Sequence, residues 1–132
     1  MKLIELIDVS RSFGEGELRI DALKSTNLAV EAGEFVAIIG PSGSGKSTFL
    51  TITGGLQSPS EGRVLINGNP FSDVSEKKRA KLRFEEIGFI LQASNLVPFL
   101  TVQDQLHLAN KVERSKVDKQ KRDELLKELG IF

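Results

Sequence analysis

Apolar positions form short β-type runs in the first two thirds of the chain and helix-period runs in the last third. Leu3, Ile4, Leu6, Ile7 and Val9 alternate imperfectly with polar neighbours and predict a strand ending near Phe13. Gly14-Glu15-Gly16-Glu17 predicts a turn. Residues 18–30 predict a second strand, with turn-prone Asn27 inside it, so the N-terminus reads as an antiparallel ribbon. Phe35-Val36-Ala37-Ile38-Ile39 is continuous and apolar, the pattern of a strand buried on both faces of a largely parallel sheet. A Gly-rich loop follows, then a helix over 46–53 closed by Gly54-Gly55. Beyond it come a turn at Pro59–Gly62, a strand at 64–66 and a reversal at Asn67-Gly68. Asp73 with Glu76 marks a helix start running toward Glu86. Ile87-Gly88-Phe89-Ile90-Leu91 predicts another buried-type strand, and residues 92–100 a loop with an apolar middle. Thr101 with Asp104, and Ser115 with Asp118, open two further helices, the second stopped at Gly130.

Composition narrows the function classes. The chain has 132 residues, 39% hydrophobic and 27% charged, a globular balance sufficient for one compact domain. No apolar run approaches bilayer length, and Glu5 interrupts the N-terminal segment where a signal peptide needs an apolar core. Eighteen basic and eighteen acidic residues cancel, which argues against whole-chain attraction to nucleic acid or anionic lipid. With no cysteine and a single histidine, His107, thiolate chemistry and Cys- or His-rich metal sites are excluded. Lys77, Lys78, Arg79, Lys81 and Arg83 concentrate positive charge, which reads first as the solvated face of a helix.

The chemistry is carried by Gly40-Pro41-Ser42-Gly43-Ser44-Gly45-Lys46-Ser47, the G-x-x-x-x-G-K-[ST] phosphate loop. Glycines at 40, 43 and 45 let the backbone turn tightly and approach a ligand, so that main-chain N–H groups form a nest for anionic oxygens. The following helix offers its unpaired N–H groups and positive dipole end to the same anion. Lys46 adds a mobile charge for the terminal phosphates, Ser47 a hydroxyl for Mg²⁺, and Thr48 a hydroxyl for the α-phosphate. The motif specifies a nucleoside triphosphate and leaves the reaction class open.

The flanks carry a resemblance. Glu31-Ala32-Gly33-Glu34, running through residues 35–39 into Gly40–Thr48, resembles the ATP-binding domain of ABC transporters. Ser58-Pro59-Ser60-Glu61-Gly62-Arg63 through Gly68 is similar to that family's hairpin after the phosphate helix, and Ile87 through Gln92 to Pro98 to its Q-loop. Within the family the branch serving macrolide efflux, lipoprotein release and haem export is most similar, and Leu96–Leu100 followed by Gln105-Leu106 leans toward haem export. The resemblance implies an α/β P-loop NTPase core. Residues 1–34 would be its antiparallel ribbon, 35–100 the segment from phosphate loop to Q-loop, and 101–132 the start of a helical subdomain. It implies ATP and Mg²⁺ as ligands, with Phe13 stacking on adenine and residues 40–48 on the phosphates. Gln92 would reach Mg²⁺, beside Ser47, and the attacking water; Gln92 and Lys46 would be the catalytic pair. His107 matches no family position and reads as a packing or surface residue. The implied partners are a transmembrane permease, docking near Leu96-Val97-Pro98-Phe99, and a second ATP-binding subunit in a head-to-tail dimer. The implied location is the inner face of the cell membrane, with no nucleic acid expected.

The family pattern continues into motifs that this sequence lacks: no Ser-Gly-Gly signature, no apolar run closed by Asp-Glu, no later histidine. The expectation is therefore the N-terminal portion of a longer ATPase, truncated before the signature, which couples ATP hydrolysis to export as a whole but binds without turnover here. Strands at 35–39 and 87–91 would lack neighbours. The alternatives are a nucleotide-binding fragment without turnover and a soluble ABC-type ATPase acting on nucleic acid or ribosomes.

Overall fold

The N-terminal alternation becomes a long strand, β1 (Lys2–Phe13), which a short 3₁₀ turn (Gly16–Leu18) returns as β2 (Ile20–Glu31). A computed structural model of the chain describes residues 1–93 and 95–131. Ser94, inside the Q-loop-like stretch, and Phe132, the last residue of the third segment, lie outside the described residues. β3 (Glu61–Ile66) and β4 (Asn69–Pro70) complete an antiparallel sheet in the order β2-β1-β3-β4. The helices are α1 (Lys46–Thr53), α2 (Glu76–Glu86), α3 (Val102–Glu113) and α4 (Lys119–Glu128). The chain divides into two compact units, Met1–Phe89 and Ile90–Phe132. Among the described residues no helix is long and apolar enough to cross a membrane.

The imperfect alternation of β1 has a structural cause. Leu6 and Val9 are three residues apart, yet both are buried in one core with Phe49, Ile52, Val64, Ile66 and Phe71. Strict alternation would put one of them in solvent. The pairing of β1 shifts register between Leu6 and Val9, and Asp8 there takes φ 50°. This irregularity resets the side-chain parity. Asn27, the turn-prone residue inside β2, fixes it: its Oδ1 accepts from the Asp8 N–H at 2.9 Å and its Nδ2 donates to Asp8 Oδ1 at 2.8 Å. Gly62 of β3 lies so close that a Cβ there would stand 2.3 Å from the Asp8 carbonyl oxygen. Asn27 thus serves a bulge in the neighbouring strand and makes no turn of its own.

The charged helix α2 also differs from its sequence reading. Its N-cap is Ser75, whose hydroxyl accepts from the Lys78 N–H, and not Asp73. Lys77, Lys78 and Lys81 are exposed as expected. Arg79 and Arg83 turn inward beside Leu82, the i, i+3, i+4 spacing of one helix face. Arg79 Nη1 donates to Ser58 Oγ (2.8 Å) and to the Ser72 carbonyl (3.2 Å), and Arg83 Nη1 to the Gly55 carbonyl (2.6 Å). These bonds tie α2 to the segment leaving α1.

Two predicted strands do not form. Residues 35–39 and 87–91 lie outside every strand, and Phe35 is 97%, Ile39 90% and Ile90 98% exposed. Their apolar composition matched a buried strand, but no described strand is hydrogen-bonded to either. Without a ladder the backbone groups gain nothing from the extended form; Ile87 still packs against the core, while Phe35, Ile39 and Ile90 are left uncovered.

In the second unit, Thr101 caps α3: its Oγ1 accepts from the Asp104 N–H at 3.1 Å and donates to Asp104 Oδ2 at 2.7 Å. The hydroxyl bond holds the Asp104 carboxyl below its ordinary pKa of 3.8. Asp118 caps α4 in the same way through the Lys121 N–H, at 3.0 Å.

Candidate phosphate-binding site

The loop between residue 40 and α1 is built against the ribbon. Gly45 is the N-cap of α1 at φ 92°, and a Cβ at this position would stand 2.4 Å from the Ala22 carbonyl of β2. Both the left-handed backbone and the contact demand glycine. α1 is anchored on its other side by buried Phe49 and Ile52. Gly45 has no side chain with which to cap the helix, and the first intrahelical bond runs from the Phe49 N–H to the Gly45 carbonyl at 2.8 Å. The N–H groups of Lys46, Ser47 and Thr48 therefore precede the helical ladder, as donors suited to an anion.

Lys46 folds back over the loop. Its Nζ donates to the Gly40 carbonyl (2.7 Å), the Pro41 carbonyl (2.6 Å) and Ser44 Oγ (3.2 Å). Three neutral oxygens hold the ammonium where the loop closes. An anionic oxygen offers it a stronger, charge-assisted partner. A cleft of about 590 Å³ opens beside it, lined by Ser42, Gly43, Ser47 and Thr48 from the loop and by Ile20, Asp21 and Ala22 from β2. Asp21, the one acid on this wall, is paired with Arg19 at 3.2 Å.

Phe13 ends β1 directly opposite Ile20, which lines this cleft. Phe13 is 42% exposed, and the Arg11 guanidinium sits 4.6 Å from its ring centroid. Sequence reasoning singled out Phe13 and passed over Arg11, whose signal was only its place two residues earlier on the same strand. Gln92 belongs to the second unit, in an exposed bend. In that unit too, His107 Nε2 faces Arg122 Nη1 at 3.0 Å, linking α3 to α4. Among the described residues no group of three or more acids or histidines is placed to hold a metal. Ser42, Ser47 and Thr48 bring hydroxyl-bearing side chains to the lining of the cleft.

Comparison with known proteins places the chain in a family. The family model described as "ABC transporter" matches residues 23–132. A Staphylococcus haemolyticus protein bearing the name hemin import ATP-binding protein HrtA is 45% identical over 97% of this chain and 58% of its own length. The macrolide export ATP-binding/permease protein MacB of Marinobacter nauticus is 47% identical over 80% of this chain and 16% of its own. The dimeric, post-hydrolysis structure of the ATP-binding cassette MJ0796 of Methanocaldococcus jannaschii, bound to ADP and Pi, superposes with a TM-score of 0.82 at 40% identity, over 91% of this chain and 52% of that one. The chain thus spans a little over half of the HrtA and MJ0796 relatives. It belongs to the ABC transporter family of ATP-binding proteins.

Proposed function

We propose that residues 40–48 bind the triphosphate of ATP. One observation carries this reading: the Lys46 ammonium closes the loop beside the unladdered amides at the start of α1. Binding exchanges the Gly40 and Pro41 carbonyls for phosphate oxygens on Lys46, while the amides of residues 43–48 receive the remaining charge. The donor chemistry suits Mg²⁺, which is held by one or two protein oxygens together with phosphates and water. Ser47 would supply the protein oxygen beside the loop, and Gln92 an amide oxygen. The metal, when bound, neutralises phosphate charge. Thr48 would donate to the α-phosphate, and Phe13 would stack on the base.

Gln92 would orient water and link the nucleotide to a transmembrane permease seated near Leu96–Phe99; Leu96 and Phe99 are exposed, and one relative carries both functions in its name. A second ATP-binding subunit would complete the assembly at the inner membrane face. The direction we favour is export, with one relative's name pointing each way. For this chain the reading is binding without turnover, because its sequence carries no Ser-Gly-Gly and no Asp-Glu after an apolar run. A nucleic-acid partner is disfavoured by the inward turn of Arg79 and Arg83.

Calorimetric titration with Mg-ATP tests the assignment. Lys46→Ala should weaken affinity roughly 10- to 100-fold, the loss of a charged hydrogen-bonding partner, with the thermal midpoint preserved. Phosphate release by the unaltered chain should not exceed that of the variant. Equal affinities would remove the phosphate-loop assignment.

A further inference from the structure

Arg11 is a half-buried cation held by two contacts, and it leaves one donor unmet. Its Nη1 donates to the Ser58 carbonyl at 3.0 Å, its guanidinium carbon lies 4.6 Å from the Phe13 centroid, and its Nε is buried without a hydrogen-bond partner. An unsatisfied buried donor is costly, so the side chain is held there by its other contacts. The strand around it is braced as well. The Ser12 N–H donates to Ser60 Oγ at 3.1 Å, and the Ser60 N–H to the Ser10 carbonyl at 2.8 Å. The segment 58–60 thus fixes both the guanidinium and the end of β1 that carries the ring.

We propose that Arg11 is a positioning residue for base recognition, bracing one face of Phe13 so that the other receives the adenine of ATP. The inference rests on the stacking role given to Phe13 above. Two physical effects follow from the geometry. The guanidinium restricts the ring before the base arrives, which lowers the ordering cost of binding. Its charge also draws π-electron density toward the covered face, leaving the opposite face less repulsive to the π cloud of a purine. Arg11 is not among the residues lining the cleft beside the phosphate loop, so its action on the base runs through Phe13.

The experiment compares Mg-ATP with inorganic triphosphate, which has no base, as ligands of the unaltered chain and of Phe13→Ala, Arg11→Lys, Arg11→Leu and the Phe13→Ala/Arg11→Leu pair. Thermal midpoints are measured alongside. Phe13→Ala should weaken ATP roughly 5- to 30-fold and leave triphosphate within about twofold. Arg11→Leu should weaken ATP roughly three- to tenfold, again sparing triphosphate, and Arg11→Lys should recover most of that loss. In the Phe13→Ala background, Arg11→Leu should change ATP affinity by less than about twofold, because the group it acts through is gone. A Phe13→Ala effect equal for both ligands would overturn the stacking reading and this inference with it. An ATP-selective Phe13→Ala effect beside an Arg11→Leu effect equal for both ligands, or absent, would leave stacking intact and overturn the role of Arg11. Should Arg11→Leu fail to fold, the comparison rests on Arg11→Lys, which must lose part of the ATP affinity and none of the triphosphate affinity.

Discussion

Only half of the residues of strand β1 are apolar and all of residues 35–39 are, yet it is β1 that is buried. β1 pairs with β2 on one side and β3 on the other, and buries Leu6 and Val9. Residues 35–39 have no ladder on either side, and Phe35 and Ile39 stand almost wholly in solvent. Hydrophobic composition supplies the driving force for burial, while backbone pairing determines where that force is realised. It also bears on the phosphate loop. The loop does not rest on a paired strand preceding it; it is positioned from behind, by the Ala22 contact of Gly45 and by the burial of Phe49 and Ile52.

The largest effect is expected in the core beneath the sheet. Phe71 is fully buried, and Phe71→Ala should cost about 3–5 kcal/mol in urea or thermal unfolding; a loss below about 1 kcal/mol would mean that the sheet and α1 do not share one core. Asn27→Ala should cost about 1–2 kcal/mol, through two bonds to Asp8 of the bulge. Amide exchange at Asp8 should accelerate in the same variant, and unchanged exchange would show that the bulge stands without its clamp. Ile39→Thr and Ile90→Thr should change stability by no more than about 0.5 kcal/mol and should lower light scattering on concentration, since exposed apolar segments favour association. Destabilisation comparable to Phe71→Ala would show that these segments are buried in solution.

Much of this was legible in the sequence, for physical reasons. The phosphate loop announces itself because its chemistry needs glycines and one lysine at fixed spacing, and these requirements are local. Thr101 was readable as a helix start because a cap is satisfied within three residues, whereas the last helix starts at Asp118 and not at Ser115, where the sequence pattern opened it. Long-range requirements were not readable. Asn27 looked like a turn residue because its partner, Asp8, lies nineteen positions away across a ladder. Arg79 and Arg83 looked like part of a solvated face because their acceptors, Ser58, Ser72 and Gly55, leave no pattern in the helix itself. The burial of residues 35–39 and 87–91 was misjudged because composition reports affinity for an interior and not whether a partner strand is there.

The turn from Gly40 to Thr48 is proposed above as an anion cage assembled against the ribbon. An NMR titration with Mg-ATP reads it directly, amide by amide. The largest chemical-shift changes should fall on Gly43, Gly45, Lys46, Ser47 and Thr48, with one saturation curve shared by all five that moves to roughly 10- to 100-fold higher concentration in Lys46→Ala. Unmoved resonances in this turn, with saturable shifts clustered elsewhere in the chain, would contradict it.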